Sequence, residues 1–136
     1  MTINEIQDEI IDEFSFFDDW MDKYEFIIDL GKKLPLIDAS AKSDDKLIRG
    51  CQSRVWLDAK AEGDKVQFTA DSDAVITKGI ISLLIRVMNN QPAKQIAEQE
   101  LYFIDKIGLK EHLSPTRSNG LLSMVKQMKM YALQLV

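Results

Sequence analysis

The sequence is poor in cysteine, since Cys51 is the only one among 136 residues. A single cysteine cannot form a disulfide within the chain, and it cannot supply the several thiolates of a zinc or iron–sulfur site. A disulfide-stabilised scaffold and a cysteine-ligated metal centre within one chain are therefore excluded. Any chemical role of Cys51 is that of a lone thiol.

Long hydrophobic runs are also missing. The longest apolar stretch, residues 79–85, lies between Lys78 and Arg86 and is far shorter than the roughly 20 residues that cross a bilayer. The first residues carry Glu5 where a secretory signal would carry positive charge, and no apolar run follows. We therefore expect no membrane association and a cytoplasmic, reducing location.

Basic residues are scarce at the start of the chain. Residues 1–31 contain ten acidic residues and one basic residue, Lys23, whereas residues 32–136 contain twelve acidic and sixteen basic residues. This pattern indicates either two helices with solvated acidic faces or a negative flank that docks onto a partner. The basic residues form no run or stripe, so we do not expect a nucleic acid as partner.

The spacing of apolar residues predicts mostly helices. The chain is long enough to bury one core, 46% of it is apolar, and no linker divides it, so we expect a single domain over residues 1–136. Thr2 and Glu5 form a capping box that opens the first helix. The other predicted helices are one from Asp18 or Asp19 to a stop at Gly31, one capped by Asp73, a short one from Pro92 to Ala97, a short helix or turn within residues 101–109, and a last one capped by Ser114 or Asn119.

A hairpin is predicted in the middle of the chain. From Val55 to Ala70 the apolar residues alternate with polar ones, and residues 62–65 have the composition of a turn. We expect the helix that follows, which is the most apolar, to cover the hairpin's apolar face. The predicted class is α+β, with a small antiparallel sheet and helices packed on one face.

Cys51 is predicted to lie on a loop just before the first strand. Gly50 allows the backbone to adopt a conformation that other residues avoid. Arg49 and Arg54 flank the thiol, and positive charge would lower its pKa and favour a reactive thiolate. The alternative is a small cysteine buried under the hairpin without a chemical role.

His112 is the only histidine of the sequence. Together with Cys51 it suggests a cysteine hydrolase as one hypothesis, although the two residues are more than sixty positions apart and no third member is evident. His112 can equally be an ordinary solvated side chain.

Four blocks of the sequence resemble the SufE family of sulfur-acceptor proteins. The first is the heptapeptide GCQSRVW at residues 50–56, around Cys51. The other three occur in the family's order along the chain: residues 20–35, from Trp20 to Pro35; residues 71–79, with DSDA followed by Lys78 and Gly79; and residues 112–121, HLSPTRSNGL. Together these blocks span residues 20–121, which is most of the chain.

The resemblance implies a SufE/IscU-like fold and a role in sulfur transfer. It implies that Cys51 takes a sulfane sulfur from the persulfide of a pyridoxal-phosphate-dependent cysteine desulfurase, similar to SufS or CsdA, and enhances its turnover. The sulfur then passes to an iron–sulfur scaffold, a complex containing SufB. The resemblance implies no cofactor for this chain and leaves open whether it forms a homodimer.

The same resemblance directs attention to residues around Cys51. We expect Arg117 near Cys51, holding the anionic thiolate or persulfide; the alternative is a residue that only opens the last helix. Gly50, Gln52 and Ser53 are expected to shape the loop. The expected partner-binding residues are Arg49, Asp73 and His112.

A solvent-exposed persulfide would be lost to reductants or oxidised, so we expect apolar groups to shield Cys51. Leu36, Trp56 and Leu57 are the candidates by their position in the sequence. One functional alternative stays open beside the hydrolase: a binding module that activates a desulfurase allosterically and carries no sulfur.

Overall fold

The structure, a computed structural model, describes residues 1–51 and 53–135. Within these residues the chain forms seven α-helices, one three-stranded sheet and two short 3₁₀ turns at Ala39–Ala41 and Asp44–Lys46. The elements are α1 (Ile3–Phe14), α2 (Trp20–Gly31), β1 (Val55–Glu62), β2 (Lys65–Ser72), α3 (Val75–Met88), β3 (Gln91–Pro92), α4 (Ala93–Glu98), α5 (Phe103–Lys106), α6 (Leu109–His112) and α7 (Pro115–Leu135). The predicted α+β class is confirmed.

The sheet is antiparallel, with strand order β1-β2-β3. β1 and β2 form the predicted hairpin, in which Val55 lies opposite Ser72 and Glu62 opposite Lys65. Gly63 in the two-residue turn has a φ of +64°, the left-handed conformation that glycine adopts without steric cost. β3 was not predicted from the sequence, because two residues are too short for an alternating pattern to be visible.

α3 is the central helix of the core. Eleven of its fourteen residues are buried, and it packs against β2, α1, α2 and α7. A Cβ on Gly79 would overlap the carbonyl group of Ile27, so α2 and α3 can approach this closely only because position 79 is glycine. The predicted end of α2 at Gly31 is confirmed, since Gly31 is the last helical residue, and it lies against the backbone of Gly79.

The helix starts follow the sequence at most positions. Thr2 and Glu5 form the predicted capping box of α1, and Asp19 caps α2. The Oγ of Ser114 accepts a hydrogen bond from the backbone N–H of Arg117 in the first turn of α7, so Ser114 and not Asn119 is the cap. The prediction that Asp73 caps α3 is wrong, because Ala74 occupies the N-cap without a side-chain hydrogen bond.

Among the described residues, no helix combines the length and apolar character that a membrane crossing requires.

Candidate functional site

Cys51 lies in the loop between Ile48 and Val55, called the Cys51 loop below, and this loop rests on α7. Gly50 has a φ of +91°, and a Cβ at this position would lie 2.7 Å from the Oγ of Ser123. A Cβ on Gly120 would lie 3.5 Å from the Sγ of Cys51. Gly50 therefore permits both the turn of the backbone and its close approach to α7, and Gly120 provides the surface against which the thiol packs.

Hydrogen bonds close the base of the Cys51 loop. The backbone N–H of Ile48 donates to the carbonyl of Val55 (2.8 Å). The backbone N–H of Arg54 donates to Oδ1 of Asp73 (3.0 Å), and the Ser72 hydroxyl donates to the carbonyl of Arg54 (2.8 Å). The segment between β2 and α3 thus holds the loop where it enters β1.

A cavity of about 250 Å³, the inner cavity, lies between the Cys51 loop and the first turns of α3 and α7. A separate groove of about 520 Å³, the outer groove, is lined by the loop itself, including Arg49, Gly50 and Arg54. Both contain part of the Cys51 surface. The inner cavity is lined by Cys51 and Ser53 from the loop, Thr77 and Ile80 from α3, and Arg117 and Met124 from α7, among others.

The thiol of Cys51 is partly buried, and its Sγ donates to the carbonyl oxygen of Gly120 (3.6 Å). Burial raises the pKa of the Cys51 thiol, because removal from water disfavours the thiolate. The expectation that Arg49 and Arg54 lower this pKa is wrong. Both side chains are exposed, and their charges are screened by water. The neutral thiol is therefore the stable form of the free protein.

Arg117 lines the inner cavity together with Cys51. Its Nη1 donates to the hydroxyl of Tyr24 on α2 (3.4 Å), and its backbone N–H belongs to the cap of α7. Arg117 is thus a helix-entry residue by its backbone, while its side chain contacts Tyr24 and lines the inner cavity.

His112 lies apart from Cys51. Its ring stacks on Trp20 with centroids 4.4 Å apart and planes tilted by 15°, and its Nδ1 is 2.9 Å from the carbonyl oxygen of Gly108. His112 is not among the residues that line the inner cavity, and the Cys51 thiol donates to Gly120 instead. The geometry gives no support to a cysteine–histidine hydrolase; His112 braces α2 against α6.

The three apolar residues expected to shield Cys51 lie elsewhere. Leu36 is 58% exposed and Leu57 is fully buried in the core. The ring of Trp56 lies beneath Lys42, whose Nζ is 4.4 Å from the ring centroid.

Ile80 and Met124 take this shielding role, and Thr77 adds a hydroxyl to the cavity wall. No local sequence signal marks these three residues, since only the packing of α3 beside α7 brings them to Cys51. Ser53 reaches the cavity from the loop, whereas Gln52 lies outside the described residues. Within the described ranges, no group of three or more His, Cys, Asp or Glu side chains is placed to hold a metal ion.

Comparison with known proteins identifies the family. The family model named SufE, described as an Fe-S metabolism associated domain, matches residues 8–132. The chain belongs to the SufE family. The match includes the Cys51 loop and both helices that line the inner cavity, and it associates this SufE domain with iron–sulfur metabolism.

Relatives of this SufE chain occur in bacteria and plants. An uncharacterized SufE-like protein of Rhizobium etli is 42% identical over 127 residues, which cover 90% of this chain and 86% of that protein. SufE-like protein 1, chloroplastic/mitochondrial, of Arabidopsis thaliana is 37% identical over 128 residues, 93% of this chain but 34% of that protein. The solution structure of a hypothetical protein from Thermus thermophilus shares the fold, with a TM-score of 0.79 over 96% of this chain and 95% of that one at 17% identity.

Proposed function

We propose that this protein is a sulfur acceptor in iron–sulfur cluster assembly. Cys51 takes a sulfane sulfur from the persulfide of a pyridoxal-phosphate-dependent cysteine desulfurase in the cytoplasm, which increases the turnover of that enzyme, and then delivers the sulfur to a cluster scaffold. The observation that carries the proposal is the chain's only cysteine on a loop beside the inner cavity, in a family associated with iron–sulfur metabolism. Residues 1–136 act as one domain in this role.

The reaction is a displacement at sulfur. The Cys51 thiolate attacks the outer sulfur of the partner's persulfide, a new S–S bond forms at Cys51, and the partner's S–S bond breaks. The partner's thiolate departs with the electron pair of the broken bond, so no external oxidant or reductant is consumed. One thiol suffices for this relay, whereas a cluster would need further ligands.

Docking has to change the state of Cys51 before it reacts. The free thiol has a raised pKa and donates to the Gly120 carbonyl, so it is a weak nucleophile. Contacts at the base of the loop, above all that between Arg54 and Asp73, oppose its outward movement. We propose that the partner displaces the loop, aligns the two sulfurs and stabilises the thiolate.

The exposed groups around the loop suit such a partner. Arg49 is exposed on the Cys51 loop, Asp73 is exposed beside it, and His112 is exposed on α6, so each is available to a docked desulfurase. Arg117 is the group that holds the anionic sulfur at the inner cavity. These assignments are part of the proposal.

Mass spectrometry tests the proposal. The protein is incubated with a cysteine desulfurase and free cysteine, and its intact mass is recorded before and after dithiothreitol. We expect an added mass of one sulfur atom that dithiothreitol removes and that Cys51→Ser does not acquire. An unmodified wild-type protein that still stimulates the desulfurase, together with equal stimulation by Cys51→Ser, would replace the relay by allosteric activation alone.

A further inference from the structure

Two hydroxyl groups form a polar pair in the wall of the inner cavity. The Oγ of Ser53 donates to Oγ1 of Thr77 at 3.1 Å, and both residues line the cavity beside Cys51. Thr77 is 6% exposed, so its hydroxyl faces the interior. Each hydroxyl can donate or accept in this contact, and with Ser53 as the donor the hydrogen of the Thr77 hydroxyl is left for a further acceptor.

Cys51 Sγ lies at the inner cavity, whose wall also contains this pair. Sγ lies against Gly120, which is part of the inner cavity and not of the outer groove. An outer sulfur is bonded to Sγ at about 2.05 Å, so it stays close to the thiol's own position. The inner cavity has ample volume for one sulfur atom, and its charged member is Arg117.

We propose that the inner cavity binds the outer sulfur of the Cys51 persulfide as an anion, and that the Thr77 hydroxyl donates a hydrogen bond to it. Ser53 is a positioning residue, because it orients the hydroxyl of Thr77. The inference rests on the proposed function only in taking the persulfide as the form of Cys51 that is held. Ionisation of the persulfide releases its proton to solvent, and no S–S bond breaks and no electron is transferred.

This arrangement protects the carried sulfur by chemistry as well as by burial. A hydrogen bond to a charged group is stronger than one between neutral groups, so the Thr77 hydroxyl favours the anionic persulfide over its protonated form. A thiolate reductant attacks the anion less readily than the protonated persulfide, because like charges repel. Loss of the hydroxyl therefore shortens the lifetime of the bound sulfur.

The test compares Thr77→Val, which removes the hydroxyl at nearly constant shape, with Thr77→Ser, which keeps it. Each protein is equilibrated with glutathione and glutathione persulfide, without any desulfurase, and the loaded fraction of Cys51 is read by intact mass. We expect Thr77→Val to shift the equilibrium about tenfold towards unloaded Cys51 and glutathione persulfide, the effect of one hydrogen bond to a charged group. We expect Thr77→Ser to stay within about twofold of the wild type, and Ser53→Ala to shift by about threefold.

Two controls locate the effect. Thr69→Val makes the same chemical change on β2, away from the inner cavity, and should leave the equilibrium unchanged. Alkylation of unloaded Cys51 by iodoacetamide should be equally fast in wild type and Thr77→Val, because the proposed bond is to the outer sulfur.

The outcomes separate this inference from the function on which it rests. An unchanged equilibrium in both Thr77→Val and Ser53→Ala, or an equal change in the alkylation of the unloaded thiol, would overturn it. If a desulfurase fails to load Cys51 while the glutathione equilibrium still depends on the Thr77 hydroxyl, the cavity assignment holds and the sulfur-acceptor function fails.

Discussion

The carboxylate of Asp73 accepts the backbone N–H of Arg54 at 3.0 Å, and this bond connects the start of α3 to the loop that carries Cys51. Asp73 lies outside α3 and does not cap it. Its contact with the loop gives the residue a direct influence on how readily Cys51 becomes exposed.

Removal of this contact should loosen the Cys51 loop. We expect Asp73→Ala to raise the rate of Cys51 alkylation by iodoacetamide about fivefold, since one net hydrogen bond opposes the outward movement. Asp73→Asn keeps an acceptor oxygen at the same place and should stay near the wild-type rate. Equal rates in Asp73→Ala and wild type would show that this bond does not restrain the loop.

The pH profile of alkylation should reveal the burial of the thiol. Because burial raises the pKa of Cys51, the rate in the folded protein should rise at higher pH than in the same chain unfolded in urea. The contribution of the thiol to the free energy of unfolding is full below the unfolded pKa and is lost as the pH rises through the folded pKa. Coincident folded and unfolded profiles would contradict a buried thiol, and Cys51→Ser should lack the corresponding loss of stability at alkaline pH.

Gly50 and Gly120 lie at the contact between the Cys51 loop and α7, and the stability of the protein should respond differently to substitution of each. Gly50→Ala places a side chain at positive φ and against Ser123, so we expect a loss of about 1–2 kcal/mol in the free energy of unfolding. Gly120→Ala meets Cys51 only at van der Waals distance and raises helix propensity, so it should retain or increase stability. Denaturant unfolding measures both. A loss in Gly120→Ala as large as in Gly50→Ala would show that the loop packs more tightly on α7 than these distances indicate.

Arg117 should affect sulfur uptake through its position on the inner cavity, where it can bind the anionic sulfur, and not through its contribution to the net charge of the protein. We expect Arg117→Met to lower the single-turnover rate of Cys51 loading about tenfold, because the anionic sulfur loses a charged donor. Arg54→Met removes the same charge from an exposed side chain outside this cavity, so the loading rate should change little. Equal losses in the two variants would assign the effect to general electrostatic attraction of the partner.

Local sequence signals predicted the elements whose cause is local. The capping box of Thr2 and Glu5 and the alternation in β1 and β2 depend only on residues that are close together in the sequence, and both are present in the structure. Gly31 ends α2 as predicted, but its contact with Gly79 could not be predicted, because it joins two helices that are distant in sequence. Asp73 was misjudged because its partner, the Arg54 backbone, is likewise remote.

The candidate site shows the same division. Cys51 and Arg117 could be named from the sequence, because each lies in a block that resembles the SufE family. Thr77, Ile80 and Met124 could not, since they reach Cys51 only through the packing of α3 and α7. The pKa of Cys51 depends on this burial, which outweighs the charges of flanking arginines that look decisive in the sequence.

A time-resolved mass measurement shows whether Cys51 carries the sulfur during turnover. The protein is mixed with a desulfurase and cysteine, quenched by alkylation at successive times, and the extra sulfur is located by peptide mapping. We expect a persulfide on Cys51 that forms and decays at least as fast as the stimulated turnover. Stimulated turnover that outpaces formation of this persulfide, or proceeds without it, would show that Cys51 does not carry the sulfur.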